Sequence, residues 1–268
     1  MGHYSVTIHG ANVRLPANNK QATALLMTAT ISPPAGAVAR SDSAIRLQDY
    51  MECLGFYLQA PSIHRILFVD NSASDLSTIE RLVRSIRHDK VVELISFDGN
   101  DYPLAYGKAY GEFRLIDFGL MHTQILDEND TFWKVTGRLR FLNLATMIAS
   151  VSCQYDVLCD LHNFPLVGTG KLFNNRWMDL RVFSCSIRGY RTLLQGKYKN
   201  LGSRMNQNTL YDVVRSANNG LRVIPRFPIQ PILGGVSGRH NRDYLKGFQR
   251  VKTVLRIGAR KIAPFVWI

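Results

Sequence analysis

A chain of 268 residues that is 46% apolar can bury a sizeable core, which excludes a disordered polar segment and a small disulfide-held scaffold. Its formal charge of +13 is uneven: residues 186–268 hold sixteen Lys or Arg against two Asp and no Glu, while the first 185 hold seventeen basic and eighteen acidic residues. That end suits an anionic partner, whether nucleic acid, lipid or substrate, but charge alone does not choose among them. Cys53, Cys153, Cys159 and Cys185 form no Cys-X-X-Cys pair and lie in apolar surroundings, which predicts buried reduced thiols. No basic and apolar leader is visible and no apolar run is long enough to span a membrane, so a cytoplasmic location is expected.

In chain order, residues 1–20 read as turn-rich, with Asn18-Asn19 ahead of the apolar run Ala22–Ile31. That run is short and stops at Pro33-Pro34, as a buried strand would. Ile45 to Leu58 repeats apolar residues at helical spacing up to Pro61. Ile66–Val69 is a doubly buried strand ending in Asp70-Asn-Ser72. Leu76–Ile86 is a helix capped by Ser74, or by a Ser77/Glu80 box. Val91–Phe97 is a third strand, followed by a helix over 107–126 and a strand over 131–141. Further on, Leu144–Val151 reads as helix, Tyr155–Cys159 and Arg176–Ser186 as strands, 187–220 as helix and loop, 221–235 as extended chain, and 243–268 as a basic helix. The alternation predicts an α/β fold: a mostly parallel central sheet with helices on both faces, Rossmann-like in its first half, and a less regular basic C-terminal region. We expect one domain, with a nucleotide-binding half over 22–143, an acceptor half over 144–242 and an amphipathic end over 243–268.

Gly168-Thr-Gly-Lys171 lacks the earlier glycine and the following hydroxyl of a P-loop, because Pro165 and Leu172 stand there. Gly235-Val-Ser-Gly-Arg239 lacks the spacing of a nucleophile elbow, and no Asp-X-Asp occurs. Lys134, Thr136 and Arg138 alternate at a predicted strand end and so share one face, with Gly137 allowing close backbone approach; this set suits a phosphate. Lys108 joins them as a donor-binding candidate, although with Glu112 four residues on it reads equally as a helical ion pair. Asp160 and His162 alternate and could hold a divalent metal with one further ligand. Asp179 could act as a general base, or pair with Arg181.

The order strand, helix, strand ending Asp70-Asn-Ser72, helix Gly107-Lys-Ala-Tyr-Gly-Glu112, then Lys134-Val-Thr-Gly-Arg138 resembles GT-A-type nucleotide-sugar glycosyltransferases, in particular bacterial enzymes of capsule and lipopolysaccharide synthesis. The likeness covers roughly residues 22–190 and, more loosely, the region from Gly235 to Tyr244. It implies that Thr30, Asp70, Asn71 and Ser72 meet the nucleotide and that the helix start at 107–112 lies beside the donor. The family's strand normally ends in a metal-binding Asp-X-Asp, and here cations stand instead. The expectation is therefore transfer without a required cofactor, Lys134 and Arg138 stabilising the leaving phosphate and Asp179, or else Asp160, accepting the proton. A dependence on manganese or magnesium would instead bring in Asp160 and His162. The implied partners are a nucleotide-sugar donor and a saccharide or lipid-linked acceptor. Residues 244–268, alternating apolar and basic, fit either an anionic inner membrane surface or the domain's own flank. The competing reading is a basic nucleic-acid-binding protein without catalytic activity, resting on the stretch Tyr190–Arg226.

Overall fold

The computed structural model describes residues 4–10, 22–163, 176–202, 206–217, 220–237, 241 and 243–262. The readings of Asn18-Asn19, of Gly168–Lys171 with Pro165 and Leu172, of Gly238-Arg239 and of the terminal Phe265–Ile268 lie outside these residues.

The chain opens with strand β1 (Tyr4–His9), then β2 (Ala24–Ala29), helix α1 (Ser43–Leu58), β3 (Arg65–Asp70), α2 (Ser77–Ser85), β4 (Val91–Phe97), α3 (Gly107–His122) and β5 (Thr131–Thr136). There follow β6 (Arg140–Phe141), α4 (Leu144–Ala149), β7 (Val157–Leu158), β8 (Leu161–Asn163), β9 (Arg176–Met178), β10 (Val182–Ser186), α5 (Ile187–Leu193), α6 (Lys197–Leu201), α7 (Gln207–Arg215), β11 (Val223–Ile224), β12 (Leu233–Gly234) and α8 (Gly247–Ile262). Among the described residues the main sheet has eight strands in the order β1-β4-β3-β2-β5-β10-β7-β11, with two small two-stranded sheets, β12-β6 and β8-β9. The four central strands, β4, β3, β2 and β5, run parallel, which confirms the expected α/β class. Edge strand β1 and strand β10 are antiparallel to their central neighbours.

Side-chain alternation distributes the central strands over two cores. Leu25, Met27, Ile66, Phe68, Trp133 and Val135 face α1 and α2 with Tyr50, Leu54, Tyr57 and Ile79. Leu26, Leu67, Val69 and Phe132 face the other way, against Phe113, Ile116 and Tyr190. At the start of the strands Arg65 forms a buried pair with Asp130 (2.5 Å) and also donates to the carbonyls of Ile125 and Ala22. It ties β3 to the loop before β5.

Several boundaries differ from the sequence reading. The turn-rich start contains β1, whose residues Tyr4 to His9 pair with β4 along their whole length. The strand expected over 131–141 stops at Thr136, turns through Gly137–Leu139 and resumes as β6, with the Leu139 amide donating to the Thr136 carbonyl at 2.9 Å. The strand expected over 176–186 breaks at Asp179–Arg181. The helix from Gly107 ends at His122 because Glu93, fully buried on β4, accepts bonds from Thr123 Oγ1 (2.5 Å) and the Gln124 amide (2.9 Å). Neither predicted cap starts α2; Asp75 instead accepts from the Ser77 amide and hydroxyl. All four cysteines are free, but Cys153 is exposed while the other three are buried.

Gly137 fixes how β5 leaves the sheet. Its amide donates to the Thr28 carbonyl at 2.9 Å, and an added Cβ would sit 2.8 Å from that oxygen and 3.2 Å from the Tyr50 ring. Gly137→Ala must push the chain off β2 and should cost about 1–3 kcal/mol, measured as a lowered urea midpoint with an unchanged slope. Undiminished stability would show that this crossing is loose.

Candidate functional site

From β2 the chain steps outward to β3 and β4, then returns to place β5 on the opposite side of β2. The order therefore reverses between β2 and β5, and in such sheets ligands bind in the crevice beyond the carboxyl ends of the strands at that point. Here those strand ends are Thr28–Thr30 of β2 and Thr136–Arg138 of β5, touched by Arg46 of α1 and Glu112 of α3.

On the α3 face, Lys134 is wholly buried, ion-paired with Glu112, and donates to the Leu180 carbonyl at 2.5 Å and the Thr136 hydroxyl at 3.4 Å. Glu112 also accepts from Thr28 Oγ1 at 2.5 Å. Burial pushes the Lys134 ammonium below its ordinary pKa, and the charge of Glu112 opposes that drop. Glu112 thus takes its cation from the sheet, and Lys108, read as a donor-binding residue or as the helical partner of Glu112, is exposed.

On the α1 face a second group forms. Arg40 forks onto Asp49 (2.6 and 2.7 Å), and Arg138 reaches the same carboxylate at 3.4 Å with its guanidinium 5.8 Å from the Tyr50 ring centre. Buried Arg46 donates to the carbonyls of Thr30 and Arg40 and to the Tyr50 hydroxyl. Burial and the nearby Arg138 both lower its pKa, the first more strongly. Three guanidinium groups thus surround one carboxylate, and the buried Arg138 Nε has no hydrogen-bond partner. The expectation that Lys134, Thr136 and Arg138 share a face is corrected here: the turn at Gly137 sends Arg138 to the α1 side and leaves Lys134 on the α3 side.

The residues expected to meet a nucleotide are brought together between these groups. Asp70 is fully buried and accepts from the amides of Ile31 (2.8 Å), Ser72 (3.0 Å) and Ser74 (3.2 Å) and from the Ser72 hydroxyl. Burial raises its pKa against the pull of those bonds. Thr30 Oγ1 donates to Asn71 Oδ1 at 2.7 Å, and the Ser32 amide donates to the Ser72 hydroxyl at 3.0 Å. These contacts latch the end of β2 to the end of β3, so Asp70 shapes the crevice floor rather than presenting a carboxylate to it.

Asp179 and Asp160 lie apart from this latch, next to α8. Arg181 grips Asp179 through Nε (2.9 and 3.1 Å) and Nη2 (2.5 Å). Burial raises the Asp179 pKa, but the Arg181 charge and bonds outweigh it and hold the carboxyl well below the usual range. Arg260 of α8 forks onto Asp160 (2.8 and 3.1 Å) and donates to the Phe227 carbonyl at 2.6 Å. His162 lies 3.5 Å from Asp160 and stacks on Trp177 with centroids 4.5 Å apart, and neither ring nitrogen has a hydrogen-bond partner among the described residues. Among the described residues no group of three or more His, Cys, Asp or Glu is arranged to hold a metal. Arg40, Arg46, Asp49 and Tyr50 were missed by sequence reasoning. The one signal was a cation, Arg40, closing the loop between the first strand and its helix.

Two cavities lie away from these groups. One of about 340 Å³ lies beside α3, lined by Asp98, Arg114, Asp117 and Lys199, and one of about 690 Å³ lies at the opposite strand ends, lined by Thr23, Trp133, Tyr155 and Arg222.

No family model and no curated protein matches the chain. Among solved structures it is similar to the inositol-1-phosphate CTP transferase from T. maritima, at 13% identity and a TM-score of 0.48 over 90% of this chain and 97% of that one. It is also similar to the 4-diphosphocytidyl-2C-methyl-D-erythritol synthase from Anaerococcus prevotii DSM 20548, at 9% identity and a TM-score of 0.45 over the same shares. At these scores neither likeness carries an inference about this chain.

His162 offers a direct check of this geometry. Burial is the largest cause lowering its pKa from 6.5, with Arg256 and Arg181 acting the same way and Asp160 and Asp179 opposing them. Below about pH 6.5 the unfolded chain binds a proton that the folded chain refuses, so stability falls as pH drops through that point. Urea unfolding of His162→Gln should show a shallower loss between pH 7 and 5 than the wild type. Identical slopes would place His162 in contact with water.

Proposed function

We propose that this protein is a glycosyltransferase that takes a nucleotide-linked sugar as donor and passes the sugar to a saccharide or lipid-linked acceptor in surface polysaccharide synthesis. The observation that carries this reading is the cluster of guanidinium groups at the switch point: Arg40, Arg46 and Arg138, with Asp49 the one carboxylate they contact, Glu52 and Asp42 farther off beside Arg40, and the buried Arg138 Nε left without a partner. A diphosphate fits that imbalance, because planar guanidinium forks match its oxygens and fixed charges need no reorganisation when the leaving group gains charge. The latch Thr30, Asp70, Asn71, Ser72 would support the nucleoside side of the crevice, and Gly137 would let the chain approach closely.

In the proposed reaction an acceptor hydroxyl attacks the anomeric carbon while the bond to the diphosphate breaks, with the developing charge met by Arg138 and Arg40. Lys134, neutralised by Glu112, contributes less charge than the sequence suggested. The fork of Arg181 on Asp179 favours a role in holding that cation over the proton-accepting role first expected for Asp179. Asp160, engaged by Arg260, is assigned the same kind of role. The rival nucleic-acid reading finds little support in Tyr190–Arg226, since Tyr190, Tyr198 and Tyr211, its three aromatic residues, are buried and offer no face for stacking.

The test is a panel of nucleotide sugars scored for donor hydrolysis, with and without chelator, beside nucleoside triphosphates mixed with sugar phosphates. Hydrolysis of one nucleotide sugar that persists in chelator is expected, and Arg40→Ala should weaken nucleoside diphosphate binding about 10-fold. Pyrophosphate release from a triphosphate, or binding untouched by Arg40→Ala, would overturn the assignment.

A further inference from the structure

Helix α8 is amphipathic in sequence, but it packs with its polar side inward. Gln249, Thr253, Arg256 and Arg260 follow one another at helical spacing and are less exposed than their neighbours; Arg260, 8% exposed, is anchored to Asp160 and the Phe227 carbonyl. The apolar residues take the outer side. Phe248, Val251, Val254, Leu255 and Ile262 are 74%, 52%, 60%, 65% and 86% exposed. A stripe of that kind is unusual on a water-facing surface and marks a docking face.

We propose that this face seats the protein on an anionic membrane surface. The occupant is chosen by the charge around the stripe: Lys246, Arg250, Lys252 and Lys261 are exposed beside it, and α8 contains no Asp or Glu. A bilayer with acidic headgroups meets both demands, taking the apolar side chains at the headgroup boundary while the flanking cations bind the phosphates. The described helices include none long and apolar enough to cross a membrane, so this contact lies along the surface. The buried anchor of Arg260 on Asp160 keeps the stripe turned outward, which ties the docking face to the body of the protein. The proposal does not rest on the donor assignment.

The test is flotation of the full chain with phosphatidylcholine vesicles, with or without phosphatidylglycerol, at low and high salt. The wild type should float with the phosphatidylglycerol vesicles, and at high salt or with phosphatidylcholine alone the bound fraction should fall about 10-fold. Val251→Asp with Leu255→Asp should abolish flotation while leaving the thermal midpoint unchanged, because both side chains already face water. A wild type that stays unbound under every condition overturns the proposal. So does a dimer, seen by light scattering and dissolved by the same substitutions without any flotation, which would assign the stripe to a second copy of the chain.

Discussion

The site depends on the place where β5 leaves the sheet. Strand β5 runs parallel to β2 as far as Thr136, and the chain then turns so tightly over the end of β2 that only glycine fits beneath Tyr50. That crossing brings Thr28 and Thr136 to the edge of one crevice. It also separates two cations four residues apart, sending Lys134 beneath α3 and Arg138 beneath α1. A continuous strand would have put both on one face and made a different site.

The two sides of the crevice then follow different electrostatic rules. An ammonium as deeply buried as Lys134 is held only with a counter-charge and filled hydrogen bonds, and Glu112, Leu180 and Thr136 supply them. On the α1 side the charges do not balance, since Asp49 is shared between Arg40 and Arg138 while Arg46 binds only backbone carbonyls and a tyrosine hydroxyl. Two of these guanidinium groups, Arg46 and Arg138, are buried, and an anion at this point would give them the counter-charge that buried cations need.

Much of the scaffold was legible in the sequence, because the strands of the parallel core are short apolar runs and the helices between them carry clear periodicity. Ile66–Val69 and Val91–Phe97 were placed almost to the residue for that reason. The candidate site was legible only in part. Asp70, Asn71 and Ser72 could be located at a strand end, but their mutual bonds to Thr30 and Ile31 come from the neighbouring strand. The face shared by Lys134 and Arg138 was misjudged because alternation holds only while a strand continues, and Gly137 ends it. Asp179 was read as a general base or as the partner of Arg181, and the pair two residues apart is what forms, whereas the partner of Asp160, Arg260, stands a hundred residues away and gave no sign in the sequence. The orientation of α8 could not be read from its own pattern, since its amphipathic spacing allows either side to face inward, and Arg260 decides it from outside the pattern.

The central claim, that the crevice between β2 and β5 receives the diphosphate, is tested most directly by hydrogen exchange of the full chain with and without a nucleoside diphosphate. Protection should concentrate in the segments 28–50 and 134–141. Protection confined to the cavity lined by Thr23, Trp133, Tyr155 and Arg222, at the opposite ends of the strands, would contradict it.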